Sequence, residues 1–505
     1  MNVASRASVR ALWGLASWLV PLSVAFFLTP RLLHLLGPER FGVLMVALVT
    51  PAIASQMDLG LASSAVRRFA ADLKLGRLDG PGILSTYFVS FCVLALVFGA
   101  VVAVASDWLA DALGFSALLG AQAGHQLTRW CAVWGAVSLA TTLPSLLVRA
   151  AQSFAWLTVV QTLATLVVWV GALMLIGAQR PLHDIVVLGI VTSILAAATM
   201  TLAARHMIRW SGWPVLQLPV HKKDMRFAGG MFSAQIASAV VYQGDRILIS
   251  SFGSPAVAGA YALCANLANK PLAAVVAITA FAFPHASGLH AGGEKAELAA
   301  LLHALDRAVA VLIIPLILPA LWLAGVFLQL WLGAYGTADL ALAFRILMIA
   351  FAVPAFAVPV GHVLAASGNA EPAARFSWLT ALVVVLGITV LVPRWGLLGA
   401  VVAILAGMST SLIFSVVARR MLRLEKPQGR LRFCAGVLLG LATQAGLLGL
   451  FAPFAVDWWT LFAVALAAWA VFFFTRAMFH TLSPEEIRLS RRLCRRIPPL
   501  LGRKH

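Results

Sequence analysis

The residues of this chain that could do chemistry are charged side chains set inside long apolar stretches. Asp245-Arg246 lies in one such stretch, flanked by Tyr242, Gln243 and Gly244; Lys270 lies near the middle of the next, behind Asn266 and Asn269 and before Pro271. Asp306-Arg307 opens a third stretch, and Arg345 sits about two turns into a fourth. Nearer the start, Asp58 ends a Gln56-Met57-Asp58 run and Arg129 sits near the outer mouth of another stretch. A charge at bilayer depth costs about 2.5–3.5 kcal/mol even on a lenient insertion scale, so such residues are functional candidates by default. Their chemistry is ion recognition. In the second half, Arg246, Lys270, Arg307 and Arg345 stand against Asp245 and Asp306. A cavity lined this way attracts an anion such as a pyrophosphate headgroup better than it attracts a cation. Asp58 and Asp245 are the acids able to take a coupling proton or cation.

Blander roles compete at several of these sites. Asp306-Arg307 and Arg129 are shallow enough to snorkel towards the interface. Arg246 can be neutralised as a structural pair by Asp245 or by Asp58. Lys270 is too deep for easy snorkelling and has no adjacent acid.

Bond-making chemistry finds no constellation. The 11 His residues are scattered, no G-x-S-x-G elbow occurs, and no P-loop is present to couple ATP hydrolysis. Glycosyl or phosphoryl transfer would need clustered carboxylates or metal ligands, and the closest acids, Glu294 and Glu297, read as part of a solvated linker. The five cysteines (Cys92, Cys131, Cys264, Cys434, Cys494) form no C-x-x-C pair and read as buried free thiols. No metal and no cofactor is called for, and the chain does not read as an enzyme.

The elements that must hold these charges follow from composition. Apolar residues make up 62% of the 505 and charged residues only 11%, with a mean hydropathy of +0.95. Soluble domains run near half apolar and about a quarter charged, so this chain uses lipid as part of its solvent. Fourteen segments of bilayer length are readable, near 11–30, 41–63, 82–105, 127–149, 155–177, 184–204, 228–251, 257–282, 304–326, 340–365, 374–392, 396–417, 433–452 and 458–477. The first is too long for a signal-peptide core and has no small-residue cleavage site before Pro30-Arg31, so it reads as an uncleaved helix. Prolines within the segments, among them Pro51, Pro144, Pro271, Pro315, Pro319 and Pro359, are expected to kink helices.

The net charge of +19 is placed unevenly. Arg67, Arg68, Lys74 and Arg77, then Arg205, Arg209, Lys222, Lys223 and Arg226, then Arg419, Arg420, Arg423, Lys426, Arg430 and Arg432 fall in one set of loops; Asp107, Asp111, Asp184, Asp339 and Asp457 fall in the alternate set. Positive loops stay inside, which puts both termini in the cytoplasm. Charge divided among loops in this way serves topology and attraction to anionic lipids, and no nucleic-acid partner is implied. Residues 481–505 begin with the helix-start signature Ser483-Pro484-Glu485-Glu486 and read as a basic amphipathic tail on the inner leaflet.

The chain also repeats itself. Gly37-Pro38 leading into Phe41-Gly42 is echoed by Gly253-Ser254-Pro255 leading into Val257-Ala258-Gly259, and Pro144-x-x-x-Val148-x-Ala150-Ala151 by Pro359-x-x-x-Val363-x-Ala365-Ala366. The two offsets agree to one residue. A shift of six segments returns the chain to the same side of the membrane, so the expected fold is all-α and integral to the membrane. It has two parallel six-helix lobes, 1–215 and 216–430, two added helices at 431–480, and the tail.

The stretches Leu28-Thr29-Pro30-Arg31-Leu32-Leu33, Leu36-Gly37-Pro38-Glu39-Arg40-Phe41-Gly42 and Asp58-Leu59-Gly60-Leu61 resemble the N-terminal signature of polysaccharide flippases of the Wzx type. Asp245-Arg246-Ile247-Leu248-Ile249, followed by Gly253 and Gly259-Ala260-Tyr261, resembles the start of their second lobe; Phe283-Pro284-His285-Ala286-Ser287 is similar more loosely. The resemblance implies the multidrug/oligosaccharidyl-lipid/polysaccharide exporter fold, with its lobes arranged as a V. It also implies a bacterial inner-membrane protein that moves an undecaprenyl-pyrophosphate-linked glycan (an O-antigen, capsule or exopolysaccharide unit) outward by alternating access. A polysaccharide polymerase and glycosyltransferases are the implied protein partners. Two further helices beyond twelve also fit a lipid II flippase, and a cation-coupled drug or metabolite antiporter of the same superfamily is the other alternative. A membrane glycan polymerase would need larger outer loops than the longest here, about 106–126.

Overall fold

The computed structural model describes residues 3–58, 60–62, 65–66, 68–69, 81–151, 153–208, 236–279, 282–369, 371–424 and 430–479. All regular structure among them is helical, and eleven helices are long and apolar enough to cross a membrane. The protein is an all-α integral membrane protein. The expected count of fourteen is not reached in that way, for local reasons. One merged helix, Glu371–Leu422, has 52 residues. At 1.5 Å per residue it would run about 78 Å straight, against an apolar bilayer core of about 30 Å. It folds back at Gly396, whose φ of 52° and ψ of −124° leave the helical region. A Cβ on Gly387 would meet Ala403, and one on Gly407 would meet Val384, so the two arms lie side by side. The first two expected segments likewise run together in Val3–Ala47, broken only at Gly37 (φ 72°). The first third of the seventh expected segment, and the whole of 481–505, lie outside the described residues.

The chain forms two compact units, Met1–Leu263 with Ala373–Gly407, and Cys264–Pro372 with Met408–His505. In the first, α1 (Val3–Ala47), α2 (Thr50–Gln56) and α3 (Pro81–Val104) precede two short helices, α4 (Ser106–Ala112) and α5 (Phe115–Leu119). Then follow α6 (Ala121–Ala140), α7 (Thr142–Ala150), α8 (Phe154–Gly177) and α9 (Leu182–Ile208), and after the undescribed stretch α10 (Asp245–Phe252) and α11 (Pro255–Ala268), whose last turn, from Cys264, belongs to the second unit. Phe69, Tyr87, Phe91, Leu143, Leu147 and Met200 form one buried cluster, with the Phe69 and Tyr87 rings edge to face at 5.4 Å. The second unit contains α12 (Lys270–Thr279), α13 (Ala282–Ala291), α14 (Lys295–Trp322), α15 (Ala324–Leu332), α16 (Ala338–Ala355) and α17 (Val358–Ala366), with α19 (Arg430–Phe451) and α20 (Trp458–Met478). The merged helix, α18, falls between α17 and α19.

Several prolines act differently from simple kinks. Pro51, Pro144, Pro271 and Pro359 each sit in the first turn of a new helix after a break, where a missing N–H costs nothing. Pro144 and Pro359 do so in helices of equal length, Thr142–Ala150 and Val358–Ala366, each nine residues long and each following a long apolar helix. Pro315 and Pro319 lie inside α14. Pro319 has no N–H for the Pro315 carbonyl four residues back, and Gln444 on α19 supplies one at 2.8 Å. Cys131 and Cys264 are buried and Cys92 half-buried, but Cys434 is exposed, contrary to expectation. It stands near the start of α19, beside a cavity.

Candidate functional site

In the first unit the candidate acids are held by neighbours in sequence and in space. Residues 240–244 form a π-helical turn, a rare widening often found at functional positions, and Asp245 follows it. Asp245 is 3% exposed. Its carboxylate accepts the Arg246 backbone N–H at 2.8 Å and the Tyr261 hydroxyl from α11. Asp58 is buried as well, and its two oxygens accept the backbone N–H groups of Gly60 (2.9 Å) and Ala62 (3.0 Å). Both oxygens are thus engaged in capping a turn, the local use of Asp that competes with ion binding. The helix before Asp58 packs against the π turn before Asp245, so the two segments adjoin.

The echoed loop motifs also meet here. A Cβ on Gly259 would lie 2.7 Å from the Gly42 Cα, and one on Gly42 would overlap the Pro255 carbonyl. Only glycine permits so close a crossing.

The cations of the second unit are distributed. Lys270 opens α12 and is half-buried. The Arg345 guanidinium reaches from α16 to the end of α14, where Nε donates to the Leu321 carbonyl at 2.8 Å. Arg307 lines a cavity of about 550 Å³ together with His303, Asp306, Arg419, Arg420 and Phe433. Lys270 and Arg345 are not among its lining residues, and Arg246 belongs to the first unit. The four expected cations therefore do not line one described cavity.

Asp306 does not serve its neighbour Arg307 alone. Its two oxygens accept a bidentate pair of bonds from Arg419, at 2.7 and 2.9 Å, the planar fork geometry that arginine favours. The cavity thus presents three arginines against a single carboxylate already engaged. Arg307 lies over the Phe433 ring, 5.6 Å from its centroid. Arg476, wholly buried on α20, lies 5.2 Å from the same ring and 5.8 Å from that of Phe472. Aromatic faces of this kind hold a desolvated guanidinium without neutralising it. Phe433, Arg419, Arg420 and Arg476 were not expected as site residues. Arg419 and Arg420 read as topology charges at segment ends, Arg476 was given no role, and no spacing signal links Arg419 to an aspartate 113 positions away.

Near the start of α6, Arg129 donates to Asp107 at 3.0 Å, and His125 lies 3.4 Å from Asp111. The neighbouring Ser116 and His125 side chains hold the Asp111 carboxyl below its ordinary value. Among the described residues, no group of three or more His, Cys, Asp or Glu is placed to hold a metal ion.

A family model described as Polysaccharide biosynthesis protein matches residues 32–338. Among solved structures, the chain is similar to the lipid II flippase MurJ in an inward closed conformation, with 12% identity, 93% of this chain and 99% of that chain covered, and a TM-score of 0.68. An inward-facing multidrug resistance MATE family transporter of the MOP superfamily aligns at 11% identity over 81% and 98% of the two chains, with a TM-score of 0.66. A variant of the Vibrio cholerae MATE transporter VcmN aligns at 16% identity over 83% and 98%, with a TM-score of 0.58. At such identities the likeness is one of fold. No curated protein matches.

Proposed function

The chain belongs to the polysaccharide biosynthesis protein family, and from that premise we propose that it is a flippase for a lipid-linked oligosaccharide in the bacterial inner membrane. Its substrate is a glycan carried on undecaprenyl pyrophosphate, moved from the cytoplasmic to the periplasmic leaflet by alternating access of lobes 1–215 and 216–430. The matching nine-residue helices at Pro144 and Pro359, and the crossing of Gly42 with Gly259, support that internal repeat. Both termini lie in the cytoplasm, the basic loops meet anionic lipid, and glycosyltransferases and a polymerase act before and after transport.

The observation that carries the anionic substrate is the arginine-lined cavity around Arg307. A pyrophosphate offers oxygens to planar guanidinium forks, and a cation would be repelled there. A drug-cation antiporter calls for the reverse balance of charge. Arg246, Lys270 and Arg345 join Arg307 in compensating substrate charge at other stages of the path, and Asp245, with Asp58, is the place for a coupling ion.

Lys270 and Arg307 provide the test. Lys270→Ala and Arg307→Ala are expected to insert at wild-type abundance, to lose surface glycan, and to accumulate lipid-linked oligosaccharide on the cytoplasmic leaflet. Lys270→Arg should retain part of the export, since an anion needs the charge more than the shape. Wild-type export from both alanine variants, at wild-type abundance, would overturn the anionic-substrate reading.

A further inference from the structure

A second cavity, of about 490 Å³, lies wholly within the first unit and has the opposite chemistry. None of its lining residues is ionisable; they include Trp134, Ser138, Thr142, Gln161, Thr165 and Trp169. Its volume falls in the range of small-molecule sites, about 300–1,000 Å³.

The polar lining is organised by helix. On α8, Gln161, Thr165 and Trp169 recur every four residues and face the cavity. Leu163, Val167 and Met174 lie towards the opposite side and are 55%, 48% and 69% exposed. On α9, Gly189, Ser193, Ala196 and Met200 face the cavity, while Val191, Ile194, Leu195 and Leu202 face outward. On α6 and α7, Trp134, Ser138, Thr141 and Ser145 continue the same stripe. Helices α8 and α9 turn apolar faces outward, while hydroxyl, amide and indole groups from the four helices meet in one shared space.

The hydroxyls also share a bonding state. Thr142 donates to the Ser138 carbonyl at 2.8 Å, Thr165 to the Gln161 carbonyl at 2.9 Å, and Ser193 to the Gly189 carbonyl at 2.8 Å while accepting Trp134 Nε1 at 3.1 Å. A hydroxyl has one proton and two lone pairs. With the protons directed back to the helices, the cavity presents mainly acceptors, and the Gln161 amide adds donors. A ligand that fits must be uncharged, rich in hydroxyl donors, and able to lay an apolar C–H face on an indole ring, whose face is electron-rich. A phosphate finds no cation there and a cationic drug no carboxylate.

We propose that this cavity is a carbohydrate subsite that takes neutral sugar rings of the transported glycan, which rests on the flippase reading above. The probe is the oligosaccharide released by mild acid from the lipid-linked pool of the producing cells and freed of lipid and phosphate. It is titrated into the full chain in detergent while tryptophan fluorescence is followed. Saturable quenching is expected for the wild type and should shrink in Trp169→Phe. The double variant Ser138→Ala/Thr142→Val keeps the side-chain volumes close and should bind about tenfold more weakly, the effect of losing one or two hydrogen bonds. Leu163→Ala, on the outward face of the same helix, should bind as the wild type does, with all variants monodisperse on gel filtration. No saturable binding, or binding unchanged in Trp169→Phe and in the double variant, means a water-filled cavity only and overturns the proposal. Deleting the gene tests the flippase reading separately. A lipid-linked pool that builds up in the deletion strain, without binding in the titration, removes the subsite alone; binding without such a pool removes the flippase reading and leaves a sugar site.

Discussion

The hydrogen bond from Gln444 to the Pro315 carbonyl offers a sharp test of how the added C-terminal helices are held. Pro319 cannot donate to the carbonyl four residues back, so α14 carries a main-chain acceptor with no intrahelical partner. Gln444, wholly buried on α19, meets it at 2.8 Å. In a bilayer interior an orphaned carbonyl has no water to turn to. Interhelical hydrogen bonds in membranes are worth about 0.6 kcal/mol on average, but stranding a buried acceptor costs about 1–3 kcal/mol. Gln444→Leu is therefore expected to destabilise the protein by about 1–2 kcal/mol, since leucine fills the space and offers no donor. Pro319→Ala restores an N–H to the helix, which can then satisfy its own carbonyl. In that background the same Gln444→Leu change should cost less than about 0.5 kcal/mol. Unfolding of purified protein by SDS in mixed micelles measures all four corners of the cycle. An equal loss in both backgrounds would refute the reasoning, because it would mean that Gln444 contributes packing rather than the missing donor.

Other features make independent predictions. Gly259→Val places a branched side chain against the Gly42 backbone, and overpacking of this kind costs about 1–3 kcal/mol; folded protein recovered from membranes should fall, whereas the same change at Gly446, where a Cβ meets nothing within 4 Å, should leave it unchanged. Asp457 caps α20: its side chain accepts the Thr460 N–H at 2.7 Å while the Thr460 hydroxyl accepts the Asp457 N–H, and the Thr460 bonds hold its carboxyl below the ordinary value of 3.8. A pKa depressed by folding contributes stability above the ordinary carboxylate range and loses it as the pH falls through the folded value. Protection of the Trp458–Thr460 amides, measured against their intrinsic exchange rates, should thus fall on acidification below about pH 4, and Asp457→Ala should abolish that dependence. Reporter fusions at Gly80 and Gly429 should score cytoplasmic, and those at Gly114 and Pro453 periplasmic; one inverted first-half site would remove the orientation read from the basic loops.

The long helices were readable because each bilayer crossing imposes a length and an apolar composition that few other constraints mimic. Their breaks were readable less directly. Gly37 lay between two expected segments and Gly396 opened another, but the backbone reverses or breaks at single glycines, so neighbouring segments merge into one hydrogen-bonded run. Pro144 and Pro359 were expected to kink single segments, but each stands in the first turn of a new helix. At the candidate sites, charges within apolar segments stood out because hydropathy penalises them, and Arg307 and Asp245 were among those singled out. Hydropathy says nothing about partners. Asp306 stands beside Arg307 in sequence yet is bound by Arg419, because adjacent helical residues point about 100° apart while residues on packed helices face each other. The hydroxyl-lined cavity escaped for a further reason. Serine and threonine are near neutral in hydropathy, and their stripe shows only once four helices are known to share a space.

The two cavities imply different roles in selectivity. Attraction between arginines and a pyrophosphate depends on charge and is nearly blind to what the lipid carries, so the Arg307 cavity would serve any glycan on that carrier. Hydrogen bonds to sugar hydroxyls are short and directional. A site built to make them rejects an analogue that lacks the partner group, because its own buried polar atoms are then left unpaired. Substitutions at Arg307 should therefore lower export of every accepted glycan by a similar factor. Substitutions at Ser138, Thr142 or Gln161 should instead change which glycans are exported at all. If arginine variants altered glycan preference and hydroxyl variants lowered export uniformly, the roles assigned to the two cavities would have to be exchanged.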